Sequence, residues 1–144
     1  MVDVVTEINI NQPIVSVSSY AADPDNAPYW YVNIISSDWQ TQKPLSIGSR
    51  IAFKARFLGK ELSYVYEIIE FIPGQKLVMR TVDGPFPMET TYSWKAINNN
   101  KTQMVLRNRG EPSGFSKVFS PFMSFMMKKA NKKDLMKIKS ILEN

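Results

Sequence analysis

Histidine and cysteine are both absent from these 144 residues. Their absence removes the commonest general base, every triad that needs an imidazole, thiolate chemistry and the zinc sites built from those donors. A metal would have to be held by carboxylates alone, so no metal site and no cofactor are expected. Carboxylates and phenols remain for proton transfer. Glu67, Glu70 and Glu89 are the carboxylates of the central strand-like region, and a Glu in a strand ordinarily faces water. No paired-carboxylate site is evident, and no catalytic residue can be assigned. Tyr64, Tyr66, Thr90, Tyr92 and Asn108 are polar groups set into apolar stretches. Once buried, each needs a hydrogen-bond partner, which can be a bound molecule, another of these side chains or the backbone.

Large and pliable side chains surround these polar groups in the sequence. Trp30, Phe53, Met79, Met88, Trp94 and Met104 precede residue 110, and Phe119, Phe122 and Met126 follow it. Any one of them can simply fill a close-packed core. As a set, soft methionines and broad aromatic rings suit the wall of a pocket that tolerates varied apolar guests. Together with Tyr64, Tyr66, Tyr92 and Asn108 they form the expected ligand-binding set.

The elements that must position these residues follow from hydrophobic spacing. Val2 to Ile10 alternates loosely and is rich in β-branched residues, the pattern of a strand. Pro13 opens a short apolar stretch through Tyr20, and Asp23-Pro24 offers a second helix start that Pro28 keeps brief. From Ile34 to Arg109 the chain breaks into strand-length pieces separated by turn chemistry: 34–41, 49–57, 61–71, 76–82, 88–97 and 102–109. Ser49, Ile51, Phe53, Ala55 and Phe57 share one face of their strand, and Met104, Leu106 and Asn108 share one face of the last. Consecutive hairpins with one apolar face predict an antiparallel meander that needs a cover. Ser120-Pro121 begins the candidate, a helix of about six turns whose Met127, Ala130, Leu135, Ile138, Ile141 and Leu142 share one arc at about 100° per residue. Asn131 and Asp134 interrupt that arc. Before it, Phe115, Val118, Phe119, Phe122, Phe125 and Met126 favour a different arc, which predicts a separate short helix or a kink near the proline.

Charge is distributed unevenly. The net +5 resides wholly in residues 115–144, where seven lysines oppose Asp134 and Glu143. Clustered lysines attract phosphate, so contact with an anionic membrane surface through this helix is possible, although a solvated outer face explains them as well. Nucleic acid is disfavoured, because single-strand recognition wants aromatics interleaved with the basic groups, and here every aromatic precedes Lys128. No stretch approaches about twenty apolar residues. Asp3 and Glu7 fall where a signal peptide needs a basic start and an apolar run. A cytoplasmic address and a single domain over residues 1–144 are expected.

The local wording is also familiar. Ala22-Asp23-Pro24 followed by Trp30, Ile47-Gly48-Ser49-Arg50, Tyr66-Glu67-Ile68 leading to Pro73-Gly74-Gln75-Lys76-Leu77, Gly84-Pro85-Phe86, Thr91-Tyr92-Ser93-Trp94 and Thr102 to Arg107 occur in order. In these stretches the chain resembles the polyketide cyclase/dehydrase-like branch of the SRPBCC superfamily, also called START-like or birch-pollen-allergen-like. The resemblance implies an α+β helix-grip fold, in which a curved antiparallel sheet of about seven strands wraps around a long C-terminal helix. Two short helices follow the first strand. It further implies a cavity between sheet and helix for lipids, sterols, polyketides or other apolar molecules.

Binding of a small hydrophobic or amphipathic ligand is therefore the expected function, by a monomer or a homodimer. A cyclase- or dehydratase-type enzyme is the alternative, with Tyr or Glu moving the proton. A partner-binding module is another, since a related branch of the superfamily activates a heat-shock chaperone ATPase. Its partner surface would be the basic helix or the loop from Asp83 to Pro87.

Overall fold

Seven strands pair side by side in the order β1-β7-β6-β5-β4-β3-β2, every neighbouring pair antiparallel. The structure, a computed structural model, describes residues 2–57, 59–84, 87–110 and 120–144, with backbone alone at 57, 120 and 121. The strands are β1 (Val2–Ile10), β2 (Ile34–Trp39), β3 (Arg50–Phe57), β4 (Lys60–Ile72), β5 (Lys76–Asp83), β6 (Met88–Asn98) and β7 (Lys101–Gly110). The helices are α1 (Ile14–Ala22), α2 (Ala27–Trp30) and α3 (Ser120–Glu143). This is the helix-grip arrangement that the hairpin spacing and the terminal amphipathic pattern predict, with strand ends displaced by a residue or two, as helix and strand ends commonly are.

Two local details differ from the expectation. The Asp23 carboxylate accepts from the Asp25 amide at 3.0 Å and starts a 3-10 turn, Pro24–Asn26, so the second helical piece is split. Pro28 then lies in the first turn of α2, where its missing N–H costs nothing, and does not end the helix. Of the stretch expected to form a kink or a separate helix near the proline, Phe122, Phe125 and Met126 belong to α3, which is one helix from Ser120 onward, while residues 111–119 lie outside the described residues, as does the Leu58 corner of the β3–β4 hairpin. The β4–β5 turn forms at Pro73-Gly74, where Gly74 adopts a φ of 78° that residues with a Cβ rarely adopt.

Register shifts in the β2–β3, β4–β5 and β6–β7 pairs add residues to one strand against its neighbour. Such bulges bend strands and increase their twist, so the sheet curls into a half-barrel with one concave face. Alternation along β7 puts Met104, Leu106 and Asn108 on that inner face, while Gln103, Val105, Arg107 and Arg109 stay partly exposed. Outward carboxylates pair with outward cations: Glu67 with Arg50 at 3.5 Å, Glu70 with Lys76 at 3.3 Å and Glu89 with Arg109 at 2.9 Å. The three central glutamates are thus surface groups.

The position of α3 decides where the interior is filled and where it is not. Its C-terminal half is fastened to the β1–α1 connection. The Asn11 amide donates to Glu143 Oε2 at 2.8 Å, Gln12 Nε2 to the Leu142 carbonyl at 2.7 Å, and Lys139 Nζ to the Asn9 carbonyl at 2.7 Å. Leu135 and Ile138 are 1% and 0% exposed in the main core, against Ile10, Val17, Trp30 and Leu106. Burial of each contributes about 2 kcal/mol. Nearer the N-terminal end, Met123 packs on Val2 and Val4, with Met127 at the edge of that small cluster. Between the two contacts the helix presents Ala130, Asn131 and Asp134 to the sheet, residues too short to reach across.

Candidate ligand cavity

A cavity of about 160 Å³ lies where α3 stands away from the sheet. Its walls follow the period-2 alternation of the strands: Phe53 and Ala55 from β3, Leu62, Tyr64 and Tyr66 from β4. Met79 comes from β5, Met88, Thr90 and Tyr92 from β6, and Asn108 from β7. Tyr31 and Asn33 contribute from the connection after α2, Ile34 from the start of β2, and Met127, Ala130, Asn131 and Asp134 from α3. The surface is mostly carbon, with polar atoms gathered into two groups.

The first group lies on the sheet. Thr90 and Asn108 are partners in the β6–β7 register, and the Thr90 hydroxyl donates to Asn108 Oδ1 at 2.5 Å. Burial pushes the Tyr66 phenol up to about 12, with the neighbouring Thr90 hydroxyl opposing the shift. Tyr64 is likewise raised, chiefly by burial. The second group joins helix to sheet. The Tyr31 and Tyr92 hydroxyls bond to each other, and burial raises both phenols far beyond neutrality, so each remains an uncharged O–H. Asp134, 3% exposed, accepts from the Val32 amide at 2.8 Å. Burial lifts its carboxyl from 3.8 to about 7, against the opposing effects of that amide and of the Lys137 charge. Asn131, 4% exposed, has no hydrogen-bond partner for Nδ2 among the described residues.

A model of the family described as polyketide cyclase/dehydrase and lipid transport matches residues 1–143. The chain belongs to this family. A search of curated proteins found no match. Among solved structures, a START superfamily protein from Mycobacterium smegmatis superposes with a TM-score of 0.86 at 11% identity, covering 98% of this chain and 97% of that one. The Zhui aromatase/cyclase from a Streptomyces species gives 0.82 at 11% identity, over 98% and 93%. A protein from Thermus thermophilus gives 0.82 at 17% identity, over 97% and 96%. At these identities the likeness is one of fold.

Within this polyketide cyclase/dehydrase-like frame, seven of the residues singled out by sequence line the cavity: Phe53, Tyr64, Tyr66, Met79, Met88, Tyr92 and Asn108. Thr90, named with the polar candidates, joins them. Trp30 and Met104, both 0% exposed, lie in the filled core, where Trp30 meets the Tyr92 ring edge-on at 5.6 Å. Trp94, also buried, lies beyond Tyr92 at 6.2 Å. These three support the wall without forming it. Phe122 is 53% exposed on α3, and Met126 is half-buried off the cavity wall. Phe119 lies outside the described residues.

Sequence reasoning missed Ile34, at the start of β2, and Tyr31 and Asn33, which follow α2 with no periodicity to reveal their direction. It also missed the role of Asn131 and Asp134, although their signal was present as two polar residues inside an apolar arc. A second depression of about 610 Å³ lies between α1, the segment around Lys43 and the β4–β5 turn. Asp25 there already accepts from Lys43 Nζ at 2.6 Å and Trp39 Nε1 at 2.9 Å, so its charge is occupied. Among the described residues, no three acidic side chains converge to hold a metal ion, and no helix is long and apolar enough to cross a membrane.

Proposed function

We propose that residues 1–144 act as one unit that binds a small hydrophobic or amphipathic molecule, lipid- or polyketide-like, in the cavity between the sheet and α3. The observation that carries this reading is the gap left where short residues of α3 face the sheet, walled by Phe53, Tyr64, Met79 and Met88. Rings and thioethers of this kind give up little to an apolar guest and gain its dispersion contacts. The family description, which joins cyclase chemistry to lipid transport, supports the same reading. Neutral apolar probes such as ethylbenzene are expected to raise the melting temperature, and the rise should grow with concentration, as it must for anything that binds only the folded state. A panel of such probes that leaves the melting temperature unmoved, together with native mass spectra showing no co-purified molecule, would end the proposal.

A second reading, cyclase- or dehydratase-type catalysis, is favoured by one feature. Asp134 shares the cavity with the bonded Tyr31 and Tyr92 hydroxyls, and a carboxyl near 7 is matched to proton transfer at neutral pH. In this reading the carboxylate takes a proton from carbon beside a ligand carbonyl. Exchange of the methyl protons of acetophenone with deuterated water should then run faster with the natural chain than with Asp134→Asn. Equal rates would remove the enzyme reading and leave the binding one intact.

A further inference from the structure

Asp134 is the one carboxyl in the cavity wall, and among the described lining residues there is no Lys or Arg. Its two oxygens have different surroundings. Oδ1 accepts from the Val32 amide at 2.8 Å, whereas Oδ2 meets no donor among the described residues. The buried side-chain atoms that lack a partner and are also sealed from open space are Trp30 Nε1, Trp94 Nε1 and Asn131 Nδ2. Asp134 Oδ2 is not one of these, so it keeps some accessible surface. On a side chain that is 3% exposed and lines the cavity, that surface faces the cavity. The free oxygen of a buried carboxyl is thus an acceptor aimed at a guest.

The surroundings set the charge that a guest should bring. A carboxylate held here without a cation is disfavoured, and burial lifts its pKa to about 7. An ammonium against Oδ2 supplies the missing countercharge, and the fold has already desolvated the acid. Tyr31, Phe53, Tyr64, Tyr66 and Tyr92 line the same space, and an aromatic face attracts a cation within about 6 Å of its centroid. The Tyr31 and Tyr92 hydroxyls bond to each other. Lys128, Lys129, Lys132, Lys133 and Lys137 of α3 are exposed, where water and salt screen them. The space of about 160 Å³ admits one ring with a short substituent, comparable to apolar cavities of about 150 Å³ that take up benzene in other proteins.

We infer that the cavity selects an apolar amine, a ring-sized hydrophobic group carrying one ammonium that pairs with Asp134 Oδ2. This rests on the hydrophobic-ligand reading above and deepens it by giving the guest a positive charge.

Three probes of nearly one size separate charge from shape: benzylamine, benzyl alcohol and ethylbenzene, titrated into the full chain by calorimetry. Near pH 8 Asp134 is largely ionised, and benzylamine is expected to bind about tenfold tighter than ethylbenzene, the low end of what a hydrogen bond to a charged group contributes. Benzyl alcohol donates a hydrogen bond without a charge and should fall between the two. Near pH 6 Asp134 holds its proton while an alkylamine stays charged, so the preference for benzylamine should nearly vanish. Around Asp134, the phenols of Tyr31 from the connection after α2, Tyr66 from β4 and Tyr92 from β6 are all raised and stay neutral in this window, and the Lys137 charge on α3 opposes the rise of the acid. Asp134→Asn should reverse the order and leave benzylamine the weaker binder, and the pH comparison in the unaltered chain provides the same test should that variant fail to fold. Benzylamine binding no tighter than ethylbenzene or benzyl alcohol near pH 8, or a preference for it that survives at pH 6 or in Asp134→Asn, would overturn the inference and leave the apolar cavity standing. Failure of all three to bind would overturn both.

Discussion

Asp134→Asn should make the protein more stable above neutral pH, by an amount that grows across a defined window. The folded carboxyl has its pKa near 7, while the unfolded chain has the ordinary 3.8. Between those values the folded state holds a proton that the unfolded state has released, so stability falls as pH rises through the window and levels off beyond about 7. The span of about three pK units corresponds to roughly 4 kcal/mol. Asparagine keeps an oxygen for the Val32 amide, now met at 2.8 Å, and has no charge to bury. The two proteins should therefore be about equally stable near pH 4 and diverge to the full difference by pH 8, read as urea midpoints at a series of pH values. The groups that face Asp134 do not alter the sign. The Tyr31 and Tyr92 phenols stay neutral throughout, and the Lys137 charge on the same helix opposes the shift. Parallel curves for the two proteins would mean that water reaches this carboxyl freely, and its fitness for proton transfer would vanish with the difference.

A residue that lowers stability at the pH of most cells is not explained by packing, and this bears on what the sequence could reveal. The sheet was legible because β1, β6 and β7 alternate buried and more exposed residues along most of their length and the turns carry their own chemistry. Gly74 with its φ of 78° and the inward run Met104, Leu106 and Asn108 are examples. The covering helix was legible for the same reason, since Leu135 and Ile138 repeat at helical spacing and are buried. The cavity was only half legible. Alternation tells which face of a strand points inward, and so it found Phe53, Tyr64, Tyr66 and Tyr92. It does not tell how far the opposite layer stands away. Trp30 and Met104 point inward as well, yet the well-fastened half of α3 closes over their region, while Met79 and Met88 face the half that stands off. Depth comes from the fastening of Asn11, Gln12 and Lys139 at one end of the helix, contacts more than a hundred residues apart in sequence. The irregular segment carrying Tyr31 and Asn33 obeys no period, so its inward direction had no signature. Asn131 and Asp134 had one, because polar residues inside an apolar arc either spoil a core or face a space, and here they face a space.

Ala130→Phe is expected to abolish ligand binding while leaving the fold in place. Ala130 faces the cavity from the middle of α3, and the substitution places a benzene-sized ring in a space of about 160 Å³. Burying that ring contributes up to about 2 kcal/mol, and any overpacking costs about 1–3 kcal/mol. The net change in stability should therefore be small beside the loss of affinity. Ala55→Leu plugs the same space from β3, on the opposite wall. A plug from either side should erase the melting-temperature rise that ethylbenzene gives the unaltered chain, with near-ultraviolet circular dichroism reporting that the tertiary packing survives. The pair matters because one substitution alone can act by shifting α3, whereas two from facing walls share only the volume they remove. Should ethylbenzene still raise the melting temperature of both folded variants, the guest would have to bind elsewhere on the molecule, and the space beneath α3 would be a packing gap without a tenant.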